Sequence, residues 1–271
     1  VLDERPIPKD AKEERADKDD QRVEEDFGEH VRLRFGFGDF SEHFIILYVH
    51  NKMVLPLSGS EKKFTTRLWN KYKQSNNCYA YAVNDPETYR WQKSIPGDRS
   101  GMSNAYHSYT HCKGLPRRVI SDNPRKVYKV NPVLRCKKGF FKIMMFTSPQ
   151  GDFHFYKQHG VCEYKVQPGN TIKSVAAFFK VPQARIALAA KKVGGFKEGK
   201  RIVFKVNLWS HKRGWSDGGV LLTDAKGKMI KDPRKAARNY PGLNYSNFCS
   251  AMCVKDRGIK VGKTHPKVAQ K

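Results

Sequence analysis

Residues 163–206 carry two kinds of periodicity in a fixed order, and that order limits what the chain can fold into more than anything else in it. Tyr164-Lys165-Val166 alternates as a strand, and Gln167-Pro168-Gly169 turns it. Asn170 or Thr171 can cap a helix whose apolar residues Ile172, Val175, Ala176 and Phe179 share one face. Pro182 starts a second amphipathic run with Ile186, Leu188 and Ala189, which Gly194-Gly195 stops. After Gly199, Arg201 to Val206 alternates again as a strand.

In order and spacing, Tyr164-x-Val166, Pro168-Gly169-Asn170-Thr171-Ile172, Val175-Ala176-x-x-Phe179-x-Val181 and Gly199-x-x-Ile202-x-Phe204 resemble the LysM family over about 44 residues. That resemblance implies a carbohydrate-binding module for N-acetylglucosamine chains such as peptidoglycan or chitin. It also implies that the first and last strands pair antiparallel, so that the module's ends lie side by side and suit insertion into a host loop. The contacts it implies fall on the loop after the first strand, Gly169, Asn170, Thr171 and Ile172, and on the loop before the last, Lys191, Lys192, Val193 and Gly194. Two positions depart from the family: Asn170 replaces the usual acid, and Lys191-Lys192 replace polar residues. A LysM fold retained only for packing or protein contact is the competing reading, since fold alone does not establish function.

Asp152-Phe153-His154-Phe155-Tyr156 stands just upstream of the module and Leu208-Trp209-Ser210-His211-Lys212 just downstream. Removing residues 160–207 would make them neighbouring strands of one hairpin. Together with Asn77-Cys78-Tyr79-Ala80-Tyr81-Ala82 and Phe248-Cys249-Ser250-Ala251-Met252-Cys253, they also resemble a family spread over bacteria, phages and large DNA viruses. An Asn-Cys run entering a helix, followed by a strand-borne His, resembles papain-like and NlpC-type amidases. It implies Cys78 as nucleophile and His154 as base, with Asp152, Asn77 or His211 as orienting or oxyanion groups. A buried core thiol and a strand histidine between Phe153 and Phe155 are the plainer reading of the same residues.

The expected fold class is α+β. An acidic arm (1–26) leads a β-rich host domain (27–159 and 208–255), with the βααβ module inserted at 160–207 and a basic tail at 256–271. Strands are expected between Val31 and Val49, at Val127–Val130, at Phe140–Phe146 and at Asp152–Tyr156; a short helix or turn over Thr65–Tyr72; a loop over Gly97–Tyr109; and a basic helix or loop after Asp232. With 39% hydrophobic and 12% aromatic residues, 271 residues can fill a core. The six cysteines suit buried thiols or one or two disulfides better than zinc, because paired close ligands do not recur; no cofactor motif is present.

Net charge is +26, and because residues 1–26 carry −5, the remainder carries +31. Such an excess attracts acidic partners: an acidic protein lattice, anionic surfaces, or nucleic acid held nonspecifically. The longest apolar stretch, Phe44 to Val49, falls well short of the roughly 18–20 residues that span a bilayer. Val1 without an apolar leader implies a processed or trimmed form. Two functions are therefore expected. One is cell-wall polysaccharide binding, coupled to Cys/His amidase or peptidase chemistry, in an extracellular or wall-associated protein. The other is a basic structural protein, such as a minor capsid or internal component of a virion.

Overall fold

The run Phe140 to Phe146 has no polar side to show to solvent, and it lies where a strand needs none. In the computed structural model, which describes residues 54–71, 73–86, 94–103, 108–214 and 219–262, it forms β2, Phe140–Ser148, buried on both faces. The acidic arm, the strands expected between Val31 and Val49, and most of the basic tail lie outside the described residues.

β2 is central in a six-stranded antiparallel sheet of order β1-β8-β2-β3-β4-β5. The other strands are β1 (Val127–Val130), β3 (Asp152–Lys165), β4 (Arg201–Lys212), β5 (Val220–Leu221) and β8 (Asn247–Lys255). A small separate hairpin joins β6 (Asn239–Tyr240) to β7 (Leu243–Asn244). On one sheet face Phe141, Ile143, Met145, Phe153, Phe155, Met252 and Val254 pack against α2 (Cys78–Val83) and α3 (Leu115–Asp122). On the other, Met144, Phe146, Tyr156, Trp209 and Ala251 lie under Leu55, Ile230 and Tyr245. Cover on both faces explains why the central strands read as continuous apolar runs.

Two disulfides, Cys112–Cys249 and Cys136–Cys253, fasten the segments before α3 and β2 to β8, while Cys78 and Cys162 are buried free thiols. The helix α1 (Arg67–Lys71) falls within the expected 65–72 stretch. The chain after Asp232 is a single 3-10 turn, Pro233–Lys235, in which Asp232 accepts the amide of Arg234 at 3.0 Å. The sequence pattern missed α3. Its fourth residue, Arg118, is buried and donates to the carbonyls of Pro96 and Ser103, which interrupts the apolar period that marks a helix.

β3 and β4 are the longest strands. They pair from Tyr156↔His211 to Lys165↔Arg201, with one irregularity between His159 and Val161. The connection between them holds α4 (Ile172–Phe179) and α5 (Gln183–Lys191). Thr171 caps α4 in a reciprocal box with Ser174. Gly194 and Gly195 leave α5 at φ 78° and 107°, a region that suits glycine. Val175, Ala176, Phe179, Ile186, Ala189 and Ala190 face Tyr164, Val166, Ile202 and Phe204 in one core. Leu188 was expected on that buried stripe but is 58% exposed. It lies two residues from Ile186, about 200° round the helix, whereas Ala189 and Ala190 fall back on the same face. The same core also takes in Phe64, Trp69, Tyr81, Leu208 and Val220, so the βααβ segment packs continuously with the α+β body.

Candidate functional site

The site begins with the cap of α2. Asn77, in extended conformation, accepts the amides of Tyr79 and Ala80 at 3.0 Å each, and its own amide donates to the Ser94 carbonyl at 2.7 Å. These bonds fix Cys78 as the first helical residue and occupy Asn77, which is thus a structural cap and not an orienting group for an imidazole. β3 pairs with β4 only from Tyr156 onward, which leaves the backbone edge of Asp152–Phe155 open toward Cys78. The thiol donates to the Phe153 carbonyl at 3.7 Å. Strand alternation turns Phe153 and Phe155 toward α2 and His154 to the opposite face. The sulfur therefore meets the strand's backbone beside His154 and does not face the imidazole across the sheet.

His154 Nε2 lies 2.7 Å from His211 Nδ1, and His211 Nε2 lies 3.0 Å from the Thr223 carbonyl. A carbonyl only accepts, so in a neutral pair His211 carries its proton on Nε2 and accepts at Nδ1. His154 then donates from Nε2, leaving its Nδ1 as a free base. Burial first, then the charges of His211, Arg213 and Lys212, hold His154 well below the usual imidazole range; burial brings His211 down to about 4. Burial, reinforced by Asp152, pushes the Cys78 thiol up to about 12, against the opposing pull of the Phe155 amide and Lys212. At neutral pH the resting groups are thus a thiol and an unprotonated imidazole.

Cys78 and His154 line one cavity of about 580 Å³, together with Asp152, Arg213, Tyr240 and Tyr245. Asp152 does not meet either histidine. It accepts the Tyr245 hydroxyl at 2.7 Å and the Phe153 amide at 2.7 Å. Tyr245 in turn stacks on His154, ring centroids 4.8 Å apart at 27°. Sequence reasoning missed Tyr245 and Arg213. The two tyrosines flanking the Pro241-Gly242 turn were its only trace of the β6–β7 hairpin that brings Tyr245 over the cavity.

Far along the same two strands, the residues that the LysM resemblance singles out lie at one end of the βααβ segment. Gly169 has φ 73°, and Asn170 Oδ1 accepts the Tyr164 hydroxyl at 2.6 Å and the Gln167 amide at 2.9 Å. Thr171 is the α4 cap and Ile172 its first residue, half-buried on the core. Lys191 and Lys192 are exposed at the end of α5, Val193 packs on the same core as Ile172, and Gly194 has φ 78°. The Gly199 amide donates to the Val166 carbonyl at 2.9 Å, which holds the second loop beside the first.

A second Ser/His pair is structural. Tyr81 and Ser210 lie 2.5 Å apart, and Ser210 Oγ is 2.6 Å from His159 Nε2, whose Nδ1 donates to the Lys62 carbonyl; all three side chains are buried and none lines the cavity. Among the described residues no group of three or more His, Cys, Asp or Glu is arranged for a metal ion, and no helix is long and apolar enough to cross a membrane. No protein-family model, curated protein or solved structure matches the chain.

Proposed function

We propose that the protein is a cysteine amidase or peptidase acting on an N-acetylglucosamine-containing wall polymer, to which an inserted LysM-like module at residues 160–207 holds it. The observation that carries the catalytic half is the 2.7 Å bond between His154 and His211, which leaves an unprotonated nitrogen on an imidazole sharing a cavity with Cys78. The step requires the Cys78 side chain to turn from the Phe153 carbonyl into the cavity it shares with His154, which then takes the thiol proton as the sulfur attacks the amide carbonyl, and a tetrahedral adduct forms. The imidazolium keeps its Nε2–H bond to His211 and returns the proton to the leaving amine, which gives a thioester. Water, deprotonated by the same imidazole, then hydrolyses the thioester and frees Cys78. Because both groups rest neutral, proton transfer accompanies attack instead of preceding it. The module half is supported by the motif order together with the antiparallel pairing of β3 and β4 around two helices, the first capped by Thr171.

Release of new amino groups from purified peptidoglycan tests this. Activity should be lost in Cys78→Ser and fall by about 10²–10⁴-fold in His154→Ala, the range expected for a positioned base. Iodoacetamide at neutral pH should label Cys78 and spare Cys162, and labelling should slow in His154→Ala. Equal amine release from the wild type and Cys78→Ser would overturn the enzymatic reading.

The net charge of +26 favours a second reading, a basic structural protein of a virion held to acidic neighbours or nucleic acid. Assembly of that kind weakens steeply between about 50 and 200 mM salt and is indifferent to Cys78→Ser.

A further inference from the structure

We infer that the βααβ module is built to hold a polyanion, and that its ligand is a wall glycan carrying phosphodiester chains rather than a neutral N-acetylglucosamine polymer. This rests on the module reading proposed above and names its substrate class.

Residues 163–206 contain ten lysines and arginines against two acids, and every one of the ten is exposed. One of the acids, Glu163, is already paired, with Lys63 at 2.8 Å and Arg201 at 3.6 Å, so it offsets little of the surplus. The fold does not require this arrangement. Lys165 and Arg201 are direct cross-strand partners, a like-charge opposition that Glu163, 3.6 Å from Arg201, offsets only in part and that a bound anion would relieve further. Beside that pair, Lys191, Lys192, Lys197 and Lys200 are all exposed on the stretch that ends with Gly199 and Lys200 bonded to Val166. Six of the ten cations thus lie at the end of the module where its two loops meet, with Glu198 the one exposed acid among them.

Stacking has little to work with there. Tyr164, Phe179 and Phe204 are buried, and Phe178 and Phe196 pack against the core, so no ring is fully exposed on the module. That disfavours single-stranded nucleic acid, which is held largely on aromatic platforms. Eight of the ten cations are lysines, flexible point charges suited to a repeating anion and not to one planar group read bidentately. A phosphodiester chain attached to the polymer that the Cys78 cavity would cleave satisfies both halves of the molecule.

The full chain carrying Cys78→Ser, which prevents turnover, is sedimented with insoluble walls before and after acid removal of their phosphodiester polymers, at 50 and 200 mM NaCl. Retention on intact walls should fall about 20-fold between the two salts, as three phosphate contacts predict, and at least tenfold on stripped walls at low salt. The triple variant Lys191→Glu, Lys192→Glu, Lys197→Glu, all at exposed positions, should lose the intact-wall binding while keeping its circular dichroism. Equal, salt-insensitive retention on intact and stripped walls would overturn the inference and leave the module reading standing. Duplex DNA displacing the protein at matched phosphate would overturn it in favour of nucleic acid. No retention on either wall would overturn both.

Discussion

β3 and β4 run through two different surroundings, and the same ladder behaves differently in each. From Arg201 to Val206 burial alternates residue by residue, with Ile202, Phe204 and Val206 against α4 and α5, and Arg201, Val203 and Lys205 in solvent. From Leu208 to Lys212, and from Phe153 to His159, every residue is buried because both faces are covered. The backbone pairing does not change in kind; the cover does. Where one face is open, charge is solvated and available to a partner. Where both are closed, histidine and thiol lose their hydration and rest neutral, which is the state a base and a nucleophile need before proton transfer.

If the two halves share one core, damage to the far half should be felt in the near half. Phe179 is fully buried and meets Tyr164 and Phe204 edge-on at 5.3 and 5.0 Å. Phe179→Ala should cost about 3–5 kcal/mol. Chemical unfolding followed by fluorescence of Trp209, which lies in the near half, should shift in step with circular dichroism. Two separate transitions would show that the halves fold independently despite the continuous contacts through Tyr81 and Leu208.

The near half depends on one imidazole holding another. His211→Ala removes the acceptor that fixes the His154 tautomer and should lower kcat/KM about 10–100-fold, as loss of an orienting partner does elsewhere. His211→Asn can still accept from His154 and donate toward Thr223, and should recover most of that loss with its pH profile intact. A merely structural role would lower the amount of folded protein and leave the activity per folded molecule unchanged.

Between pH 7 and 5, acid should act on the near half. Burial brings His159 down to about 3 and His211 to about 4, while residues 163–206 contain no histidine. His154 is held well below the usual imidazole range as well. Below about pH 6.5 the unfolded chain binds protons at these three sites and the folded chain does not. Stability is therefore full above about 6.5 and falls as pH drops toward 4, by about 1.4 kcal/mol per pH unit for each histidine. Urea midpoints at pH 7, 6 and 5 measure this, and His159→Gln should flatten the slope by about a third. An unchanged slope in that variant would mean that the buried imidazoles are not what acid attacks.

The far half was the more legible in the sequence, for the same reason that it is solvated. One-sided cover imposes a period, so Tyr164-x-Val166 and Ile202-x-Phe204 declared strands, and Ile172, Val175, Ala176 and Phe179 declared a helix. Two-sided cover erases the period, so Phe153 to His159 signalled a strand without saying which way any side chain points. Hence Cys78, His154 and His211 could be named from residue type, but the bond between the two histidines could not, nor the open edge of β3 that admits the sulfur. Asp152 was adjacent in sequence and still went to Tyr245, ninety-three residues away, because the β6–β7 hairpin covers that end of the sheet.

The smallest effect gives the finest contrast, because each half carries a helix capped in the same way. Asn77 and Thr171 both sit in extended backbone and accept an amide of the first turn. Thr171 is exposed, so water can replace its hydroxyl at Ser174, and Thr171→Ala should cost about 1 kcal/mol or less. Asn77 is 7% exposed, and Asn77→Ala would strand the Tyr79 and Ala80 amides and the Ser94 carbonyl away from solvent, adding about 1–3 kcal/mol for unsatisfied groups. Thermal or urea unfolding of the two variants side by side measures the difference. Equal losses would mean that water reaches the foot of α2 as freely as it reaches α4, and the high pKa of Cys78 would then have lost its physical cause.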